Sequence, residues 1–163
     1  MGSIGQPNSP PAAQDAPRGV FRVSVDDKGR LKLPASIVQY LEGLGERKVF
    51  ITTLDELEAR IYPLSVWRET EKMLQERGDD FKARRDVALV AANYGQDVDI
   101  DAHGRATLPA ELRKLLGLEG DEIRLHCFNG HINVLGSREY GRRLEEAKVN
   151  LAEKLMLLEG KGL

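Results

Sequence analysis

The 163-residue sequence predicts an α+β fold, and three observations carry that reading. A block of 13 residues, Val23–Ala35 (V-S-V-D-D-K-G-R-L-K-L-P-A), returns 75 positions later as Val98–Ala110 (V-D-I-D-A-H-G-R-A-T-L-P-A), with 7 positions identical. Each copy alternates apolar and polar residues, turns at a glycine and opens a helix at Leu-Pro-Ala. Segments with helical spacing of apolar residues lie between the copies and after the second. A fixed offset with matched landmarks marks one supersecondary unit used twice.

Met1 to Pro17 holds four of the seven prolines and has no periodicity, so a disordered tail is expected over residues 1–17. The first unit spans 18–64. Val23 and Val25 alternate with polar residues as a half-buried strand. Asp26 and Gly29 supply the turn: aspartate bonds the backbone ahead of it, and glycine takes φ > 0 freely. Arg30 stands at the turn exit. The helix is expected from Pro34 to about Leu41, burying Ile37, Tyr40 and Leu41, with Gly43 and Gly45 stopping it. Lys48–Thr53 and Glu58–Tyr62 read as strands around an acidic loop.

A helical connector is expected over 65–95. Ser65 is its N-cap, Trp67, Met73 and Leu74 mark one apolar face, and Gly78-Asp79-Asp80 breaks it. The second helix, Phe81–Tyr94, places Val87, Leu89, Val90 and Ala91 inside and Lys82, Arg84 and Arg85 outside. The second unit, 96–136, repeats the logic with Val98, Ile100, Asp101, Gly104 and Arg105. Its helix, Pro109–Leu116, buries Leu112, Leu115 and Leu116 and ends at Gly117. Asn129-Gly130 then joins Glu122–Phe128 to His131–Leu135 as a hairpin. A single C-terminal helix fills 137–163. Its stripe of Leu144, Ala147, Leu151, Leu155 and Leu158 suits either an oligomer seam or an intrachain contact.

Composition narrows the function classes. Hydrophobic residues are 41% and charged residues 31%, a globular balance. No apolar run approaches the ~20 residues of a membrane span, and Met1–Arg18 has no signal-peptide apolar region. One cysteine excludes an internal disulfide framework and fits a reducing, cytoplasmic setting. Net charge is −2, which argues against a uniformly basic nucleic-acid binder. The distribution is uneven, however. Arg18–Pro34 carries Arg18, Arg22, Lys28, Arg30 and Lys32 against Asp26 and Asp27, whereas Asp99–Lys114 balances to zero.

Arg30 and Arg105 are the leading candidates for chemistry. An arginine at a strand end reaches phosphates or a guanine edge. The competing reading is an Asp26–Arg30 or Asp101–Arg105 pair that only stiffens the turn, and exposed pairs contribute about 0–1 kcal/mol. Lys28 and Lys32 flank Arg30 on one side of the strand and turn, where the second copy has His103 and Thr107. This asymmetry points to stronger DNA contact from the first repeat. Arg113 and Lys114 in the second helix match Val38 and Gln39 in the first.

Other chemistries fail on spacing. Asp99-x-Asp101-x-His103-Gly104 opens like a calcium loop, but Ala110 stands where a bidentate glutamate is required. His126 and Cys127 point to opposite strand faces and there is no CxxC, so no metal site is expected with His131. Cys127 reads as a small buried hydrophobe. No nucleophile, acid–base pair or phosphate loop is present; the expectation is a protein that is not an enzyme and takes no cofactor.

The doubled Asp-x-x-x-Arg, each followed by Leu-Pro-Ala, resembles the MraZ family of bacterial transcriptional regulators and, more widely, AbrB-like swapped-hairpin domains. Tyr62-Pro63-Leu64-Ser65-Val66-Trp67 is similar to the family's Y-P-x-x-x-W segment. The likeness runs from roughly Phe21 to Tyr140. It implies two AbrB-like repeats forming a pseudo-twofold β-barrel-like body, with connecting and C-terminal helices. It implies a sequence-specific DNA-binding regulator, expected to repress, that acts on promoter repeats of division and cell-wall genes as a ring-shaped homo-oligomer. The expected partner is double-stranded promoter DNA, with no membrane and no small-molecule substrate, in a cytoplasmic, nucleoid-associated protein. By this resemblance Arg30, Lys28, Lys32, Arg105 and Arg22 contact DNA, while Asp26, Gly29, Asp101 and Gly104 shape and orient the turns. Family members often carry a basic residue at the first-repeat helix position where this chain has Val38 and Gln39. The rival class is a self-assembling structural or interaction module, or an AbrB-type antitoxin-like partner, without promoter-specific DNA binding.

Overall fold

The structure is a computed structural model and describes residues 15–163. Most of the expected tail, residues 1–14, lies outside the described residues. Asp15 meets Arg18 at 3.1 Å.

The first unit contributes β1 (Val20–Val25), β2 (Arg30–Lys32), α1 (Ala35–Gly43), β3 (Lys48–Thr52) and β4 (Ala59–Pro63). The connector is α2 (Leu64–Gln75) and α3 (Phe81–Tyr94). The second unit repeats the order as β5 (Gln96–Asp99), β6 (Arg105–Thr107), α4 (Ala110–Leu116), β7 (Gly120–Phe128) and β8 (His131–Leu135). Two helices follow, α5 (Ser137–Lys148) and α6 (Leu151–Glu159). The β7–β8 turn has the expected character: Asn129 and Gly130 both take positive φ, 52° and 81°.

Among the described residues, eight strands form one antiparallel sheet in the order β5-β3-β4-β8-β7-β1-β2-β6. Its two ends, β5 and β6, are consecutive in the chain and only Ile100–Gly104 separates them, so the sheet curls into a nearly closed barrel. The repeats are interleaved. β1 pairs with β7 from the other unit, and β5 pairs with β3. Exchanging each strand for its repeat partner leaves the circular order unchanged, which is a pseudo-twofold axis written in topology. The β2–β6 register obeys it: Arg30 opposes Thr107, Lys32 opposes Arg105, and Leu31 opposes Ala106 on the axis.

Alternation along each strand builds the core. Val23, Val25, Leu31, Val49, Ile51, Ile61, Ile123, Leu125, Ile132 and Val134 point inward, joined by Ile37 and Leu41 of α1 and Leu112 of α4. On the outer face of β3 and β4, Phe50 and Tyr62 pack on Trp67 of α2, with ring centroids 4.5 and 4.8 Å apart. Ala91 of α3 completes this second cluster, and its carbonyl accepts from Thr52 Oγ1 at 2.7 Å.

Several expectations of the sequence need correction. Ser65 is not the cap of α2. The helix starts at Leu64 after Pro63, and the Ser65 N–H donates to the Glu46 carboxylate at 3.1 Å. Met73, Leu89 and Leu115 are not buried; they are 51, 71 and 44% exposed. Each sits off the stripe that its helix presents inward: Leu74 shares the side of Trp67 two turns on, Ala91 faces the sheet, and Leu112 and Leu116 are one turn apart. The C-terminal segment is two helices, because Asn150 adopts the left-handed conformation (φ 53°), which asparagine tolerates better than most residues. The whole stripe Leu144, Ala147, Leu151, Leu155 and Leu158 is exposed, so it makes no core contact among the described residues.

Candidate nucleic-acid interface

The two β-turns are built alike, bond for bond. In the first, Asp26 Oδ1 accepts from the N–H groups of Lys28 (3.0 Å) and Arg30 (2.9 Å), and Oδ2 accepts from Arg30 Nε at 2.7 Å. In the second, Asp101 Oδ1 accepts from the N–H groups of His103 (2.8 Å) and Arg105 (2.9 Å), and Oδ2 accepts from Arg105 Nε at 2.9 Å. Gly29 and Gly104 close the turns at φ 80° and 73°, where a side chain would be strained. The backbone N–H of each arginine is the main reason the carboxylates titrate low, with the guanidinium adding to it. Asp26 is lowered, and Asp101 falls to about 2.

Both sequence readings of these pairs therefore coexist in one geometry. The aspartate stiffens the turn and also fixes the arginine. It occupies Nε only. Among the described residues, the two Nη atoms of Arg30 and of Arg105 have no hydrogen-bond acceptor. The free pair is the edge of the guanidinium that recognises a phosphate or a guanine bidentately.

The swap ties the turns together. Leu33 N–H donates to Gly104 O at 3.0 Å, and Leu108 N–H donates to Gly29 O at 2.8 Å, a pair of bonds related by the pseudo-twofold. Leu31 and Ala106 are fully buried, so Arg30, Lys32, Arg105 and Thr107 share the outer face of β2 and β6. Three cations thus surround the axis.

The structure regroups the charges that the sequence presents by repeat. Lys32 is the strand partner of Arg105, and its ammonium donates to the His103 carbonyl of the second turn at 2.5 Å. Lys28 stays at the exposed tip of the first turn. Arg22 lies on the outer side of β1, 3.9 Å from Glu122, and lines a shallow depression with Lys32, Pro34, Ala35 and Asp121. Arg113, expected on the outward side of its helix, is instead only 20% exposed. A Cβ at Gly29 would lie 1.3 Å from its Nη1, so the α4 guanidinium rests on the first turn. Val38 of α1, its repeat partner, rests on Gly104 in the same way, 3.1 Å from a Cβ built there. The 75-residue match of Val38 with Arg113 was visible in the sequence; that the swap carries each helix onto the other unit's turn was not.

Among the described residues no group of three or more His, Cys, Asp or Glu side chains is placed to hold a metal ion. His131 is buried, its Nε2 2.9 Å from Asn133 Oδ1 and its ring 5.0 Å from Tyr62. Cys127 packs against the barrel core, and burial raises its thiol pKa.

Two interleaved strand–turn–strand–helix units closing one barrel, with an aspartate-aimed arginine at each turn, define a single-chain swapped-hairpin protein of the AbrB-like class. The chain is 37% identical over 142 residues to Transcriptional regulator MraZ of Acidobacterium capsulatum, covering 87% of this chain and 97% of that one. It is 31% identical over 131 residues to the protein of the same name from Koribacter versatilis, covering 80 and 88%. With that of Nitrosococcus oceani it shares 30% over 152 residues, covering 86 and 97%. No family model matches the chain. The chain belongs to the MraZ family, and the shared name of these relatives supports a role in regulating transcription. No helix among the described residues is long and apolar enough to cross a membrane.

Proposed function

We propose that this protein is a sequence-specific, double-stranded DNA-binding regulator whose contact surface is the outer face of β2 and β6 with their two turns. The observation that carries the reading is the pair of aspartate-held arginines, each with both Nη atoms free among the described residues, related across a pseudo-twofold axis with Lys32 opposite Arg105. A fixed guanidinium loses less freedom on contact than a mobile one, and bidentate arginine–guanine contact is the commonest specific one. Lys28 and Arg22 extend the surface. The regulator acts as a repressor at promoter repeats of division and cell-wall genes, as a ring of several copies in the cytoplasm on the nucleoid. A ring suits a protomer of net charge −2, because tethered weak sites gain avidity without new contacts.

The test is a salt titration against the DNA upstream of the gene and its neighbours. Log K should fall linearly with log salt, by about 0.9 per phosphate neutralised. Absence of binding at every salt concentration would leave the second reading, a self-assembling module, which the exposed apolar residues of α6 favour.

A further inference from the structure

From the unequal packing on the two turns we infer that Arg113 is a specificity-determining residue: it makes the two ends of the DNA-contact face non-equivalent, so each protomer reads its site in one direction. This rests on the DNA-binding reading above.

A twofold-symmetric face accepts a twofold-symmetric site, because symmetry in the protein is mirrored in the operator. The backbone here is symmetric to the level of single hydrogen bonds: Leu33 to Gly104 matches Leu108 to Gly29. The side chains packed on the turn glycines are not. Arg113 puts a guanidinium on the Gly29 turn, beside Arg30 and Lys28, where Val38 puts an isopropyl group on the Gly104 turn. Its nearest acid is Glu119, an exposed side chain at 3.9 Å, so the guanidinium charge is weakly compensated although its side chain is only 20% exposed. Lys32 biases the other end differently, through the His103 carbonyl. DNA lying across the axis meets arginine, arginine and lysine at one end, and arginine, lysine and a valine-backed turn at the other. Reversing the DNA exchanges these ends. Only a site whose two halves differ in the matching sense uses both fully.

The experiment selects binding sites from a random-sequence duplex pool with the full-length protein. The variants are Arg113→Val and, in an otherwise wild-type chain, Val38→Arg. Wild-type protein should enrich a subsite with unlike halves. Arg113→Val should lose base preference in one half and weaken binding to the wild-type consensus about tenfold or more. Val38→Arg restores matched packing on both glycines and should shift the selected subsite toward a palindrome. It also keeps the proposal testable should Arg113→Val fold poorly, which thermal melting would reveal. An unchanged motif with Arg113→Val, including one with evenly reduced affinity, overturns the proposal, as does a Val38→Arg motif as asymmetric as the wild type. No enrichment by the wild-type protein would instead overturn the DNA-binding reading itself.

Discussion

Leu31 and Ala106 face each other across β2 and β6, and exchange of the two repeats returns the pair to itself. Both are fully buried. Everything on the outer face beside them is arranged around that point: Arg30 with Thr107 on one side, Lys32 with Arg105 on the other. The duplicated sequence therefore makes one composite surface rather than two separate ones, and the predictions below treat it so.

Arg30→Ala should cost about 1–3 kcal/mol on cognate DNA and flatten discrimination against mutant sites if the arginine reads a base edge. Arg105→Ala should act comparably, because Lys32 supplies the second turn with the positive neighbour that its own repeat lacks. Arg30→Lys keeps the charge and loses the fork held by Asp26, so it should recover affinity for non-specific DNA more than for the cognate site. Equilibrium binding on matched and mutant duplexes reads all three. Wild-type affinity, specificity and salt dependence in a well-folded Arg30→Ala protein would remove this arginine from the interface.

The fold was legible where local chemistry decides it. Val23/Val25, Asp26/Gly29 and Leu33-Pro34-Ala35, with their partners 75 residues on, encode strand, turn, strand and helix start through alternation, side-chain bonding and backbone freedom. Closure of the sheet came from the family resemblance, because no local rule pairs β1 with β7 or β3 with β5. The same long-range swap hid part of the site. Lys32 lies in the first repeat by sequence and at the second turn in space; Arg113 does the reverse. Helix faces were misread at Met73, Leu89 and Leu115, since these helices are covered on one side only and apolar composition does not tell which residues that side takes.

Acid should weaken the turns. Asp101 titrates at about 2 and Asp26 below its ordinary 3.8, both chiefly through the N–H of the following arginine. The unfolded chain binds more protons between the folded and ordinary values, so stability rises with pH there. This contribution is complete above about pH 4 and disappears as pH falls toward 2. Asp101→Asn should flatten that part of the profile, measured as urea midpoints from pH 2 to 6. An unaltered slope would mean that the carboxylate is not held as described.

Glu58 behaves in the opposite sense. Its side chain is 5% exposed, and burial raises its pKa above the ordinary 4.5, with Arg143 of α5 at 3.2 Å pulling against that shift. The folded state thus holds this proton more tightly, and stability falls as pH rises from 4.5 through the raised value. Arg143→Ala removes the closest cation, leaving Arg60 at 3.9 Å. The loss at neutral pH should be about 1–2 kcal/mol, less than the roughly 3–5 kcal/mol of a wholly buried pair because Arg143 is half exposed. It should shrink toward pH 4. Glu58→Gln combined with Arg143→Ala should recover part of it, and a pH-independent loss would place the cost in helix packing instead.

Trp67 is the only tryptophan and the centre of the α2 cluster, stacked on Phe50 and tilted on Tyr62. Trp67→Ala should cost about 3–5 kcal/mol, in the range of large-to-small aromatic core changes. Trp67→Phe should cost less. In the wild type, a single fluorescence transition coincident with the loss of far-ultraviolet dichroism is expected, since α2 is docked on β3 and β4 rather than folded apart from them.

The C-terminal arm gives the last test. α6 is apolar on nearly every side: Leu151, Leu155, Met156, Leu157 and Leu158 are between 47 and 72% exposed. A helix apolar all round is normally buried, and no part of the described chain covers this one. Self-association is the expected remedy. Light scattering of the full-length protein should give a mass well above the 18.2 kDa protomer at micromolar concentration. Ending the chain after Lys148 keeps Arg143 on Glu58 and removes α6. That variant should keep the barrel's secondary structure and lose assembly, with DNA affinity falling more on fragments carrying several sites than on a single site, because avidity is what is lost. Leu151→Asp with Leu155→Asp should do the same without shortening the chain. If both variants assemble and bind as the full chain does, α6 is not the association surface.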